Sequence, residues 1–422
     1  MEKFRISGGR RLRGEVRASG AKNAALPCLA ATLLTAEPVA LANLPRVRDI
    51  VTMEKVLAAL GESCRHENGS TTTVAGDGDA FHAPYELVRT MRASILVLGP
   101  LLARRRRARV ALPGGCAIGA RPVDFHLEAL AKLGADVHIA HGDVVAEAPR
   151  GLSGGEITFP RITVTGTENL LMAATLARGR TVLRNCAREP EVGDLARLLV
   201  SMGAGIGGID SDTLEVRGVA SLHGARHAVI PDRIEAGTYV VAAALAGDGV
   251  TVSGCAPAHL QALFEVLGET GVRCETTENT VTVPPVSSLR AASVTTAEYP
   301  GFATDLQAQF LALMTQAEGR CTVTEAIFEN RFQHVLELKR LGAQIEVDGR
   351  CATVVGPAPL EGTTVMASDL RASAALVLAA LVARGETVVD RIYHLDRGYQ
   401  TMECKLNALG AAIERFNPGP YL

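Results

Sequence analysis

Tryptophan is absent from this 422-residue chain, and aromatic residues together make up only 4% of it. Proteins that bind single-stranded nucleic acid stack bases on aromatic rings, so the scarcity argues against that class. An excess of charge of one sign is missing too. Lys and Arg total 43 against 45 Asp and Glu, a formal net charge of −2. That balance exerts no long-range pull on nucleic acid or on an anionic membrane. No nucleic-acid partner is expected, and any anion site must be built locally. The longest apolar run, Ala374–Ala383, falls well short of the ~20 residues that span a bilayer. The opening Met-Glu-Lys-Phe-Arg-Ile has no apolar signal core. Membrane insertion is therefore not expected, and a reducing cytoplasm is the expected compartment. The nine Cys are odd in number, scattered and never spaced Cys-x-x-Cys, which suggests neither a disulfide framework nor a zinc site. The ten His lack ligand spacing, so no metal is expected. Neither Gly-x-x-x-x-Gly-Lys-Ser/Thr nor Gly-x-Ser-x-Gly occurs, which removes support for nucleoside-triphosphate hydrolysis and for α/β-hydrolase chemistry. Gly203–Gly208 looks like a dinucleotide loop but follows a helix instead of a strand, and no organic cofactor is expected.

What the chain does contain is a repeat. Six apolar segments end in Gly61, Gly134, Gly203, Gly271, Gly342 and Gly410, at intervals of roughly 70 residues. Gly after a last apolar turn is a helix C-cap. Ahead of each Gly lies a second, more apolar segment: Ala24–Leu34, Arg92–Ala103, Glu168–Ala177, Ala236–Ala246, Leu306–Ala317 and Arg371–Ala383. These helices are apolar on nearly every side, which places them inside with sheets outside. Each unit reads β-α-β-α-β-β. A chain of this length exceeds one ordinary core, so three units per domain are expected. Domain one would span 22–230; domain two would comprise 1–21 and 231–422, with crossovers at Ser19-Gly20-Ala21 and Ile230-Pro231.

The loops before the inner helices are polar. They carry Lys22 and Asn23; Arg89 and Arg92; Arg161, Thr163, Thr165 and Thr167; Asp232, Arg233 and Glu235; Thr304 and Asp305; Asp369 and Arg371. Helix N-termini hold unpaired N–H groups and partial positive charge. Several of them facing a shared cleft would trap an anion. A phosphate- or carboxylate-bearing substrate between two domains is the expectation. The run Pro113-Gly-Gly-Cys116-Ala-Ile-Gly-Ala-Arg121-Pro122-Val123-Asp124-Phe125-His126 adds a thiol on a Gly-rich loop beside a cation. Such a thiol has a lowered pKa and serves as nucleophile or proton donor near neutral pH. Arg104–Arg107 reads as a solvated cationic helix end. His126 and His394 read as hydrogen-bonding or core residues.

The runs Ser19-Gly-Ala-Lys22-Asn23-Ala-Ala-Leu, Met91-Arg92-Ala-Ser-Ile, the Cys116 loop, Ala187-Arg-Glu-Pro-Glu191, Pro231-Asp-Arg-Ile-Glu235, Ile327-Phe328-Glu329-Asn330-Arg331, Ser368-Asp369-Leu-Arg371 and Asp390-Arg-Ile-Tyr-His394-Leu-Asp-Arg397 together resemble the UDP-N-acetylglucosamine enolpyruvyltransferase family, over essentially the whole chain. The resemblance implies an α/β fold, an inside-out α/β barrel of two domains with three β-α-β-α-β-β repeats each and the active site in the cleft between them. It implies transfer of the enolpyruvyl group of phosphoenolpyruvate to the 3′-hydroxyl of UDP-N-acetylglucosamine with release of phosphate, the first committed step of peptidoglycan precursors. No metal or cofactor is implied, and the partners are those two small molecules. The shikimate-pathway enolpyruvyltransferase and a non-catalytic paralogue are the alternatives.

By the same resemblance, Cys116 is the acid that protonates the vinyl carbon, the residue that forms an adduct, and the target of fosfomycin. Asp305 is the base for the 3′-hydroxyl. Lys22, Asn23, Arg121 and Arg397 hold phosphoenolpyruvate, with Lys22 and Arg397 also catalytic. The nucleotide sugar would touch Arg92, Arg121, Pro122, Val123, Asp124, Phe125, Arg161, Thr163, Val164, Asp305, Ile327 and Phe328. Asp232, Arg233, Glu329, Arg331, Asp369 and Arg371 would support them. Relatives often carry Lys at 161 and Gly at 165, where this chain has Arg161 and Thr165, so altered nucleotide affinity is expected. They also commonly read Pro-Thr-Asp where Ala303-Thr304-Asp305 stands here, with little effect expected.

Overall fold

The structure, a computed structural model, describes residues 2–67, 71–112 and 123–419. Two compact units divide the described residues. A discontinuous unit is drawn from Met1–Ser19 and Pro231–Leu422, and an inserted unit from Gly20–Gly115 and Arg121–Ile230. Each has its own hydrophobic core. The chain enters and leaves the inserted unit at paired points. Ala21 N donates to Ile230 O and Asp232 N to Ser19 O, both at 2.8 Å.

The repeat is plainest at residues 156–217. Strand Glu156–Thr158 leads through helix Val164–Ala174 to strand Arg180–Arg184, which pairs with it in parallel. Helix Pro190–Ser201 follows, then the hairpin Gly205–Gly207 and Thr213–Arg217, whose second strand returns antiparallel beside Arg180–Arg184. Six four-stranded sheets share this order. They stay separate, and no closed barrel forms among the described residues. The expected β-α-β-α-β-β unit therefore holds, with three strands supplied from outside their own stretch of chain, of which Leu12–Arg17 lies parallel to Gly247–Ser253 across the inserted unit. Arg226–Ala228 lies parallel to Val39–Ala42 and so opens the first sheet of the inserted unit from its far end. Lys3–Ser7 sits between Glu386–Asp390 and Ile413–Phe416 and completes the last sheet of the discontinuous unit.

The inner helices are buried over almost their whole length because beyond their first turns their sequences are largely apolar on every face. Helix Arg233–Ala246 is buried from Ile234 to Ala246, and helix Leu370–Val382 from Arg371 to Leu381. Removing one such buried Leu, as in Leu376→Ala, costs about 2–5 kcal/mol. Small residues let the helices approach. Gly99 donates to Asn169 Oδ1 at 2.6 Å, and a Cβ there would fall 2.4 Å from the Asn169 carbonyl oxygen. All six repeat glycines have φ between +89° and +105°, the left-handed C-cap geometry.

Two expectations need correction. The helices start earlier than the apolar runs suggest, because their first turns are polar: Val164–Ala174, Arg233–Ala246 and Leu370–Val382 follow the caps Thr163, Asp232 and Asp369. The Arg104–Arg107 run is not simply solvated. Arg105, with a side chain 7% exposed, reaches Glu62 Oε1 at 2.7 Å and the Leu60 carbonyl at 2.8 Å. Arg104 donates to the carbonyls of Leu33 and Thr35. These two side chains satisfy chain ends that would otherwise be left without partners.

Candidate functional site

In the discontinuous unit, Asp305 lies in the 3-10 turn Thr304–Leu306 that runs into inner helix Gln307–Met314. Its Oδ1 accepts from Arg331 Nη2 at 2.6 Å, and its Oδ2 accepts from Arg371 Nη2 at 2.9 Å and Nε at 3.2 Å. Both arginine side chains are 5% exposed, whereas that of Asp305 is 26% exposed. Burial on its own would lower the Arg371 pKa. The charge of Asp305, with lesser help from Tyr399 and Asp232, outweighs burial and carries it above the ordinary arginine value. Two buried guanidinium groups grip both oxygens of this carboxylate and fix its direction. Below it, Gln309 donates to the Asp305 carbonyl and to Tyr399 and Thr238.

Neighbouring expected residues take distinct positions. Asp369 Oδ1 caps helix Leu370–Val382 by accepting from Arg371 N and Ala372 N, and Asp232 Oδ1 caps Arg233–Ala246 by accepting from Ile234 N and Glu235 N. Arg233 lies 5.6 Å from the centre of the Tyr299 ring. Arg397 ends the 3-10 turn Ile392–Arg397 and is half-buried. Burial first, then the Arg397 charge, lowers the pKa of His394. Ile327 and Phe328 are half-buried, with Arg331 5.2 Å from the centre of the Phe328 ring. Glu329 is exposed and 3.8 Å from Arg350.

In the inserted unit, Lys22 opens helix Lys22–Ala31, buried, with Nζ 3.4 Å from Asp49 Oδ2 in the first turn of Arg48–Ala59. Asn23 beside it is half-buried. Arg92 begins the 3-10 turn Arg92–Val97. Burial first, and then the Arg92 charge, pushes the His126 pKa down to about 4. The neutral His126 ring takes an amide hydrogen bond from Asn169 Nδ2 at 3.1 Å, a core role as expected. Val123 precedes helix Asp124–Lys132, on which Asp124 is exposed and Phe125 half-buried. Arg161 sits 5.0 Å from the centre of the Phe125 ring. Thr163 caps helix Val164–Ala174 through Gly166 N. Cys116, Arg121 and Pro122 lie outside the described residues.

The profile of the EPSP synthase (3-phosphoshikimate 1-carboxyvinyltransferase) family matches residues 6–406. A protein of Koribacter versatilis (strain Ellin345) named UDP-N-acetylglucosamine 1-carboxyvinyltransferase is 57% identical over 419 residues, 98% of this chain and 96% of that one. Its namesake from Solibacter usitatus (strain Ellin6076) is 58% identical over 416 residues, 98% of this chain and 100% of that one. The chain belongs to the EPSP synthase family. It is an enolpyruvyl transferase. The crystal structure of the enolpyruvyl transferase NikO from Streptomyces tendae superposes with a TM-score of 0.88 at 29% identity, over 98% of this chain and 99% of that one. EPSP synthase from Acinetobacter baumannii shares the fold, with a TM-score of 0.76 at 17% identity over 99% of this chain and 100% of that one.

This enolpyruvyl transferase also carries polar clusters that sequence inspection missed. Glu168, 2% exposed on the inner helix Val164–Ala174, has its pKa raised well above the usual carboxylate range by burial and then by the charges of Glu191 and Glu189. Glu189 and Glu191 stand in a motif already singled out, but Glu168 is remote in sequence, so only the fold brings it near them. Asp49, the partner of Lys22, carries no motif at all. Cys28, Asp194 and His227 place possible ligand atoms within 4.8 Å of one another. They satisfy each other without an ion: Asp194 accepts from His227 Nε2 at 2.9 Å, from Cys28 Sγ at 3.9 Å and from Ile230 N at 3.5 Å. No helix among the described residues is long and apolar enough to cross a membrane.

Proposed function

We propose that this enolpyruvyl transferase moves the enolpyruvyl group of phosphoenolpyruvate to the 3′-hydroxyl of UDP-N-acetylglucosamine and releases phosphate, the committed step toward peptidoglycan. The observation that carries this reading is identity above one half, along nearly the whole chain, with two proteins named UDP-N-acetylglucosamine 1-carboxyvinyltransferase. The reaction proceeds by addition and elimination. The 3′-oxygen bonds to C2 of phosphoenolpyruvate, its proton passes to Asp305, and C3 gains a proton from Cys116. The C2–O bond to phosphate then breaks and C3 gives up a proton, restoring the vinyl group.

Roles follow from the chemistry of each group. The carboxylate of Asp305, gripped by Arg331 and Arg371, is ready to accept a proton. Lys22, Arg121 and Arg397 neutralise the phosphate and carboxylate of phosphoenolpyruvate, with Asn23 beside them, and bidentate Arg suits both anions. Arg92, Arg121, Pro122, Val123, Asp124, Phe125, Arg161, Thr163, Val164, Ile327 and Phe328 receive the nucleotide sugar. In this reading domain one spans 22–230 and domain two spans 1–21 and 231–422. Cytoplasmic location fits both substrates.

Phosphate release on mixing the protein with phosphoenolpyruvate and UDP-N-acetylglucosamine tests the reaction. Turnover with shikimate 3-phosphate in place of the nucleotide sugar would overturn the choice of acceptor. Fosfomycin, an epoxide that mimics phosphoenolpyruvate, should alkylate Cys116 alone. Among the other thiols, burial raises the pKa of Cys64 and Cys274 to about 12 and of Cys186 and Cys321 to about 11, which leaves them protonated and unreactive. Peptide mass mapping that found the label elsewhere would remove Cys116 from its role.

A further inference from the structure

We infer that Glu325 is a positioning residue that aims the Asp305 carboxylate with one oxygen and shapes the Ile327–Phe328 turn with the other; the inference rests on the proposed reaction. Glu325 is 1% exposed and follows strand Gly319–Thr324. A carboxylate this deeply buried persists only when its lone pairs are filled, and here each oxygen has a separate duty. Oε1 accepts from Ile327 N at 2.9 Å, Phe328 N at 3.1 Å and Thr296 Oγ1 at 2.9 Å. Thr296 Oγ1 in turn accepts from Ala326 N at 2.9 Å. One oxygen therefore ties down the backbone of the turn that carries Ile327 and Phe328.

Oε2 accepts from Thr304 Oγ1 at 2.8 Å, and Thr304 Oγ1 accepts from Arg331 Nη1 at 2.7 Å. A hydroxyl has one proton. Because Arg331 can only donate, the Thr304 proton must point at Glu325. Arg331 is thereby fixed on one nitrogen by Thr304 and spends the other on Asp305 Oδ1. The order is Glu325, Thr304, Arg331, Asp305, with acceptor-only carboxylates at both ends and the donor-only guanidinium fixing the direction of every bond between them. A glutamine at 325 has a single oxygen, so it must put an amide donor against either the Thr304 proton or the two backbone N–H groups. One of the two duties is lost in either orientation.

The two duties separate in kinetics. Thr304→Val cuts only the Asp305 arm and should lower kcat about tenfold, the loss of one hydrogen bond to a charged network, with KM for UDP-N-acetylglucosamine unchanged. Thr304→Ser restores the hydroxyl and should restore kcat. Glu325→Gln should lower kcat or raise that KM, according to which end of the amide faces Thr304, and wild-type values of both would overturn the dual role. Melting curves verify folding, and if Glu325→Gln does not fold, the Thr304 pair carries the test. Wild-type kcat in Thr304→Val, or a Thr304→Val loss that Thr304→Ser does not repair, overturns the positioning role. Absence of phosphate release by the wild-type protein would instead sink the reaction itself.

Discussion

The two units place a carboxyl group at an inner helix in opposite surroundings. In the discontinuous unit, Asp305 meets two buried guanidinium groups, one on each oxygen. In the inserted unit, Glu168 meets burial and two further carboxylates, so its proton is retained well above the usual range. Both stand near the start of an inner segment, Asp305 in the 3-10 turn Thr304–Leu306 and Glu168 in helix Val164–Ala174. The repeat decides where a polar group stands, whereas the neighbours brought in from distant sequence decide its charge.

The contrast breaks most sharply at Asp305. Asp305→Asn removes the anion and keeps the shape, so kcat should fall by about 10²–10⁴ with nucleotide-sugar binding retained. Near-wild-type phosphate release would deny Asp305 its role as base. Next comes Asp49→Asn, which takes the anion from Lys22. KM for phosphoenolpyruvate should rise roughly tenfold while KM for the nucleotide sugar stays put. Equal changes in both constants would mean general loosening. Asp232→Ala deletes a helix cap and should cost about 0.5–2 kcal/mol, read by calorimetry as a melting point a few degrees lower.

Glu168→Gln sharpens the other half and has the smallest effect. A carboxyl with a raised folded pKa binds its proton more tightly folded than unfolded. Its contribution is complete below the ordinary carboxylate pKa and fades as pH rises toward the folded value. The neutral amide removes that decline. The variant should melt like wild type at pH 4 and higher than wild type at pH 8, where the buried carboxyl of the wild type is under pressure to ionise. A lower melting point at pH 8 would show that Glu168 is ionised.

Much of the architecture was legible because its signals are local. A C-cap glycine needs positive φ, and every one of the six repeat glycines has it. The inner helices announced themselves by composition. Their starts did not, because Thr163, Asp232 and Asp369 look like loop residues until their side chains accept backbone N–H groups. Of the candidate site, Asp305, Arg331 and Arg371 were nameable, but their pairing across 26 and 66 residues was not. Glu325 and Asp49 stayed hidden for the same reason: each works through a contact that chain proximity does not suggest. Arg104 and Arg105 misled, since consecutive arginines resemble a solvated tail whether or not carbonyls lie within reach.

The strand Lys3–Ser7 has a temporal consequence. It is an interior strand of its sheet, and its antiparallel neighbours are Glu386–Asp390 and Ile413–Phe416. During vectorial synthesis it leaves the ribosome well over 300 residues before the segments that pair it. Its backbone donors must wait, unpaired, while the whole inserted unit is made and can fold. Translation halted before residue 386 would leave that strand with no sheet to enter, although the inserted unit, whose strands all lie within 39–228, is already whole.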